Sequence, residues 1–143
     1  MTGKSHAAAN AFLSYALFLD PTITVMALLG SRTPDAVEKF LPFVKHRGLS
    51  HVMIFWAAAA CFLFQFQHSE MMFGFVLGGL LHIVMDGCSE TGVPIFRTTG
   101  RFQMRYYKTG RMSEIVFLLI ICTLAGIIAC ARKGLIIRSI THG

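Results

Sequence analysis

Three features of this sequence predict an all-α fold, a small polytopic bundle of membrane helices. Hydrophobic residues make up 55% of the 143 positions and charged ones 14%, against about 25% charged in a typical soluble domain. The mean hydropathy is +0.62, which is more apolar side chain than a core of this size needs. The apolar residues also gather into long runs at about 7–30, 51–67, 71–86 and 114–131. A spanning helix needs roughly 20 such residues. Three runs read as spans, and the first reads as one broken span or a helical hairpin, giving three to four spans in one integral-membrane domain, residues 1–143.

The first run breaks at Asp20-Pro21, because the residue before a proline avoids the helical region. Ser5 is the expected cap of its start and Gly30 its end. "TITVMALLG" begins β-branched, but a lone strand cannot satisfy its backbone in lipid, so it reads as helix. No small-x-small site precedes the Asp-Pro turn, so this segment is expected to be retained rather than cleaved as a signal. "SRTPDAVEKF" is a polar turn with a short helix opening at Pro34. Ser50 is the expected cap of the second run, which begins near His51. In the third run Gly74 and Gly78 lie four apart, a spacing that lets another helix approach closely. "GCSETGVPIFRTTGRFQ" reads as loop. Ser113 and Glu114 are expected to cap the last helix, with Glu114 at the positive end of its dipole.

The net charge is +6, and its distribution says more than its sum. Arg32, Lys39, Lys45 and Arg47 follow the first run, and Arg97, Arg101, Arg105, Lys108 and Arg111 follow the third. A hairpin of the second and third runs puts both groups on one face. The positive-inside tendency then assigns that face to the cytoplasm, although Arg132, Lys133 and Arg138 on the far side blunt the tally. The charges also suit contact with anionic lipid headgroups. No basic stripe is interleaved with aromatics outside the apolar runs, so nucleic acid is not an expected partner. Cys61, Cys122 and Cys130 sit inside apolar runs and only Cys88 is in a polar stretch. That pattern suggests neither a disulfide framework nor a thiolate metal site.

Several ionisable residues stand where the chain is about to enter oil. His82 and Asp86 are one helical turn apart near the end of the third run, on one face. Such a pair can bind a metal through nitrogen and oxygen, or can simply hydrogen-bond to itself. His46 and His51 flank Arg47 and Gly48 where the second run begins. Asp35, after Pro34, could supply another carboxylate, though capping a short helix explains it as well. His6 can join them only if Asp20-Pro21 makes a hairpin. The candidate metal ligands are therefore His6, Asp35, His46, His51, His82 and Asp86. Asp86, Arg47 and Glu114 are the candidate catalytic groups, Arg47 and Arg105 being placed to hold a phosphate in a forked contact. Helix capping already accounts for Glu114. His68 and His142 read as surface residues.

Taken together, "SH" near the start, "PD" after the first apolar segment, "HRGLSH", "HIVMDGCSETGVPIF" and "TGRMSE" resemble the YdjM-type membrane-bound metal-dependent hydrolases, small multi-span proteins of the bacterial inner membrane. The resemblance covers His6 to about Glu114. It implies a metal site, with zinc the expected ion by the family's own likeness to zinc-dependent phospholipase C, and it implies hydrolysis without naming a substrate. The family carries a second acidic residue after Pro-Asp. Here the text is "PDAVE", and Glu38 stands nearest that role.

The leading functional expectation is a membrane-embedded, metal-dependent hydrolase acting on a phosphoester or lipid ester at headgroup depth, with membrane lipids as partners and an anionic lipid as substrate. The alternative is a non-catalytic membrane subunit, homo-oligomeric or within a larger secretion- or conjugation-type assembly, whose His/Asp cluster is a structural metal site or a polar staple. An ion-coupled transporter is a third reading, but it leaves "HRGLSH" unexplained.

Overall fold

The Asp20-Pro21 break is the first event that shapes the chain. Helix α1 (Gly3–Phe18) ends at Leu19, whose φ of 54° reverses the backbone. Asp20 then caps α2 (Pro21–Gly30) by accepting the Ile23 amide at 2.8 Å, with Pro21 in the first helical position, where its missing N–H costs nothing. The two helices form the expected hairpin, which returns the chain to the end that holds His6. A computed structural model describes residues 1–40, 49–65, 69–96 and 100–141. The remaining elements are α3 (Thr33–Phe40), a single 3-10 turn (Leu49–His51), α4 (Met53–Gln65), α5 (Glu70–Gly87), a two-stranded antiparallel pair β1 (Val93–Pro94) and β2 (Arg101–Phe102), and α6 (Met112–Thr141). The fold is predominantly helical.

Glycine sets the distance between α2 and α5. A Cβ on Gly78 would strike the backbone of Ala27, one on Gly74 the backbone of Ile23, and one on Gly30 the backbone of Phe75. The pairs Ile23–Gly74 and Ala27–Gly78 show the two helices running side by side in the same direction. Beyond this contact Ile23, Leu63, Phe73 and Leu77 form one buried cluster, and Met1, Ala9, Met85 and Tyr107 form a second. The ring of Trp56, on α4, occupies the space where Gly79 has no side chain. Its indole N–H donates to the Ser50 carbonyl at 2.8 Å, which ties the 3-10 turn to α5.

Two helices, α5 and α6, are long and apolar enough to cross a membrane. Among the described residues these are the two that meet that test, against the three to four spans expected. Helix α2 has 10 residues and α4 has 13, about 15 and 20 Å at 1.5 Å per residue, against a hydrocarbon core of about 30 Å. Helix α6 runs ten residues past the expected end at 131. The charges just past that end are accommodated: Arg132 donates to the carbonyls of Ala16 and Leu17 at the end of α1, and the Lys133 ammonium sits 5.2 Å from the Tyr15 ring centre. A cation at a helix C-terminus satisfies orphan carbonyls and opposes the dipole.

Two expected caps are corrected. Helix α1 starts at Gly3, ahead of Ser5, and the Thr2 amide and hydroxyl both donate to Glu114. Ser50 does not cap α4, because its hydroxyl is turned to Glu38.

Candidate metal centre

All the helix ends that carry the polar residues meet at one end of the bundle. His6 comes from the first turns of α1, Asp35 and Glu38 from α3, His51 from the 3-10 turn, and His82 and Asp86 from the last turns of α5. His51 and His82, 31 positions apart in sequence, have ring centres 5.4 Å apart. His6 stacks on His82 at 3.8 Å. His6, His51, His82 and Asp86 are all buried, while the Asp35 side chain keeps 38% of its surface exposed.

Two carboxylate oxygens each approach the same two imidazole nitrogens. His51 Nε2 lies 3.5 Å from Asp35 Oδ1 and 3.9 Å from Asp86 Oδ2; His82 Nε2 lies 3.6 Å and 3.9 Å from the same two oxygens. A tetrahedral zinc with bonds of about 2.0–2.1 Å separates its ligand atoms by about 3.3 Å. The donors are the right kind and stand slightly wide of that spacing. Neither ring nitrogen of His82 finds a hydrogen-bond partner among the described residues, although buried polar groups are almost always satisfied. Both sets Asp35–His51–His82 and His6–His82–Asp86 are compact enough to hold a metal ion.

The supporting contacts orient these donors. His51 Nδ1 is 2.7 Å from Glu38 Oε1, and the Ser50 hydroxyl donates to the same oxygen at 2.6 Å. A carboxylate on the far nitrogen of a ligating histidine fixes its tautomer and aims the other nitrogen at the metal. Asp86 divides its oxygens in the same way: Oδ1 meets His6 Nε2 at 3.1 Å and the Met1 amine at 2.7 Å, which leaves Oδ2 toward His51 and His82. Tyr107 donates to the Met85 carbonyl at 2.8 Å and accepts from the Met1 amine, so the returning loop holds the end of α5. The contact with His51, reinforced by the neighbouring imidazoles, outweighs burial and holds the Asp35 carboxyl at about 2, below its ordinary 3.8. Asp35 is therefore an anion at neutral pH.

His6, Asp35, His51, His82 and Asp86 are thus gathered at one place. His46 and Arg47 lie outside the described residues, as do His68 and His142. Glu38 departs from its expected ligand-like role, since its carboxylate backs His51. Glu114 departs from a catalytic one, because its two oxygens are taken by Thr2 and by the Gly110 amide at 2.7 Å, and it ties α6 to the start of α1. Arg105 is exposed, with φ of 58°, and is not among the residues around the cavity described next. The sequence reading missed Tyr107 and Trp56. Trp56, the single tryptophan, facing Gly79, was the available signal for the second.

A cavity of about 700 Å³ opens beside the cluster, with His6, Asp35 and His82 in its wall. The two sets of donors therefore adjoin a space large enough for a small ligand. Comparison with known protein families, with curated proteins and with solved structures finds no match for this chain.

Proposed function

We propose that this chain is a membrane-embedded, metal-dependent hydrolase of the kind the YdjM resemblance implies, holding one zinc ion and cleaving a phosphoester or lipid ester at headgroup depth. The observation that carries the reading is the set of four donor atoms from Asp35, His51, His82 and Asp86 at 3.5–3.9 Å, adjoining the cavity. Bound zinc supplies Lewis acidity and activation of water near neutral pH. Glu38 and His6 hold His51 and Asp86 in the ligating orientation. Asp35, the most exposed of the four, is the donor able to yield a position on the cavity side. His6 lines the cavity and touches Asp86, so its imidazole is placed to exchange a proton with a leaving oxygen.

A membrane setting is supported by α6, in which only 17% of the apolar window is buried and Leu119, Ile120, Leu124, Ile127 and Ile128 are all exposed. Lipid tails are the solvent that such a surface suits. In this reading α5 and α6 cross a bacterial inner membrane, and α4 and the α1–α2 hairpin are embedded beside them. The end bearing Lys4, Arg32, Lys39, Arg101, Lys108 and Arg111 faces the cytoplasm. With Arg132 and Lys133 engaged by α1, the far-side charges weigh less against that orientation.

A second reading has its own support. Four protein ligands is the count of a structural zinc, and the open flank of α6 suits a neighbour in a homo-oligomer or larger membrane assembly. Incubation with radiolabelled total lipid separates the two. The hydrolase reading expects wild-type protein to release label, and Asp86→Asn to fall to background. Zinc in the wild type with no label released from lipid or from soluble phosphoesters would contradict the hydrolase and favour the structural subunit.

A further inference from the structure

Lys4, Arg32 and Lys39 come from three different places, the start of α1, the turn after α2 and the end of α3, and all line the same cavity. Each is exposed, and none forms an ion pair with a carboxylate among the described residues. Asp35 is the one acidic side chain among the described residues of that wall. Three cations against one anion leave the cavity short of negative charge, before any divalent ion is added. Its floor includes His82, whose ring is buried and lacks a hydrogen-bond partner among the described residues. At the mouth stands Phe40, 84% exposed, an apolar ring beside a cationic opening.

We infer that Lys4, Arg32 and Lys39 form an anion-recognition rim that holds a phosphate-bearing ligand over the His/Asp cluster. The inference rests on reading the cavity as the substrate site and names the substrate class, a phosphoester whose oxygens meet the rim while the rest of the molecule lies along Phe40. Arg32 can contact two phosphate oxygens at once, and the lysines act as point charges. The rim takes the phosphate role that the sequence suggested for Arg105, and Arg47 lies outside the described residues. The same chemistry is offered by an anionic phospholipid headgroup and by a soluble phosphoester.

The test is binding, so it does not depend on turnover. Protein in neutral detergent is titrated with glycerol phosphate by calorimetry, and separately with mixed micelles containing phosphatidylglycerol or phosphatidylcholine, in zinc-loaded and chelated forms. The triple variant Lys4→Gln/Arg32→Gln/Lys39→Gln should bind the preferred anionic probe at least tenfold more weakly. Its thermal transition and zinc content should match the wild type. A control removing the same charge elsewhere at that end, Arg101→Gln/Lys108→Gln/Arg111→Gln, should change binding less than twofold. Binding of glycerol phosphate identifies a soluble source, and binding of phosphatidylglycerol alone identifies a lipid one. Equal weakening by both triples would show diffuse surface attraction and overturn the rim, as would an unchanged affinity in the rim variant or no binding of either probe. Rim-dependent binding without hydrolysis would leave the rim standing and remove the hydrolase. Hydrolysis that is indifferent to the rim would do the reverse.

Discussion

His82→Ala is expected to strip the purified protein of its metal. The imidazole belongs to both compact donor sets found among the described residues, so its loss breaks both. Changes to groups that only orient a ligand typically cost 10–100-fold in metal affinity. Glu38→Gln should fall in that window, since glutamine keeps the shape behind His51 and loses the charge. His82→Ala should exceed it, with zinc falling below about a tenth of the wild-type content. Elemental analysis and competition with a chromophoric chelator, both in neutral detergent, read the two effects. Full zinc retention in His82→Ala would show that the ion sits elsewhere.

Gly78→Val should be the most damaging change that touches no ligand. The new side chain would meet the Ala27 carbonyl and its neighbours, which are backbone and cannot rotate away. Helix α2 must then shift from α5, and the segment leading to Asp35 shifts with it. Overpacking of this kind costs about 3 kcal/mol at the upper end of its usual range. The thermal transition in detergent should fall, and zinc should be lost in parallel. Gly126→Val is the matched control, because a Cβ there meets nothing within 4 Å. It should stay within about 0.5 kcal/mol. Similar effects at both positions would mean that the loss reflects β-branching in a helix and not the α2–α5 contact.

What could be read from the sequence was local or periodic. Asp20-Pro21 announced the break, because proline chemistry acts on adjacent residues, and left open whether it made a hairpin. The His82–Asp86 spacing put both side chains on one face, and the Gly74–Gly78 spacing marked the helix contact. What could not be read depends on partners distant in the chain. Ser50 has the chemistry of a cap, yet Glu38 takes its hydroxyl. Arg132 and Lys133 look like a stop, and only the end of α1 beside them makes a continuing helix favourable. Tyr107, in the loop before α6, and Glu114, in the first turn of α6, close contacts more than a hundred positions away in sequence, and their neighbours give no sign of them. The number of spans was harder to read for a related reason: hydropathy counts apolar residues, but the described length of α4 also depends on where the His51 turn must sit to meet α5.

Zinc-edge X-ray absorption on the purified protein tests the central claim most directly, because it reads donor type and distance together. The account predicts a first shell of about four nitrogen and oxygen donors at about 2.0–2.1 Å, with an imidazole signature and no sulfur. A sulfur shell at about 2.3 Å, which would bring in the four cysteines that stand free, or a protein that takes up no zinc at all, would contradict it.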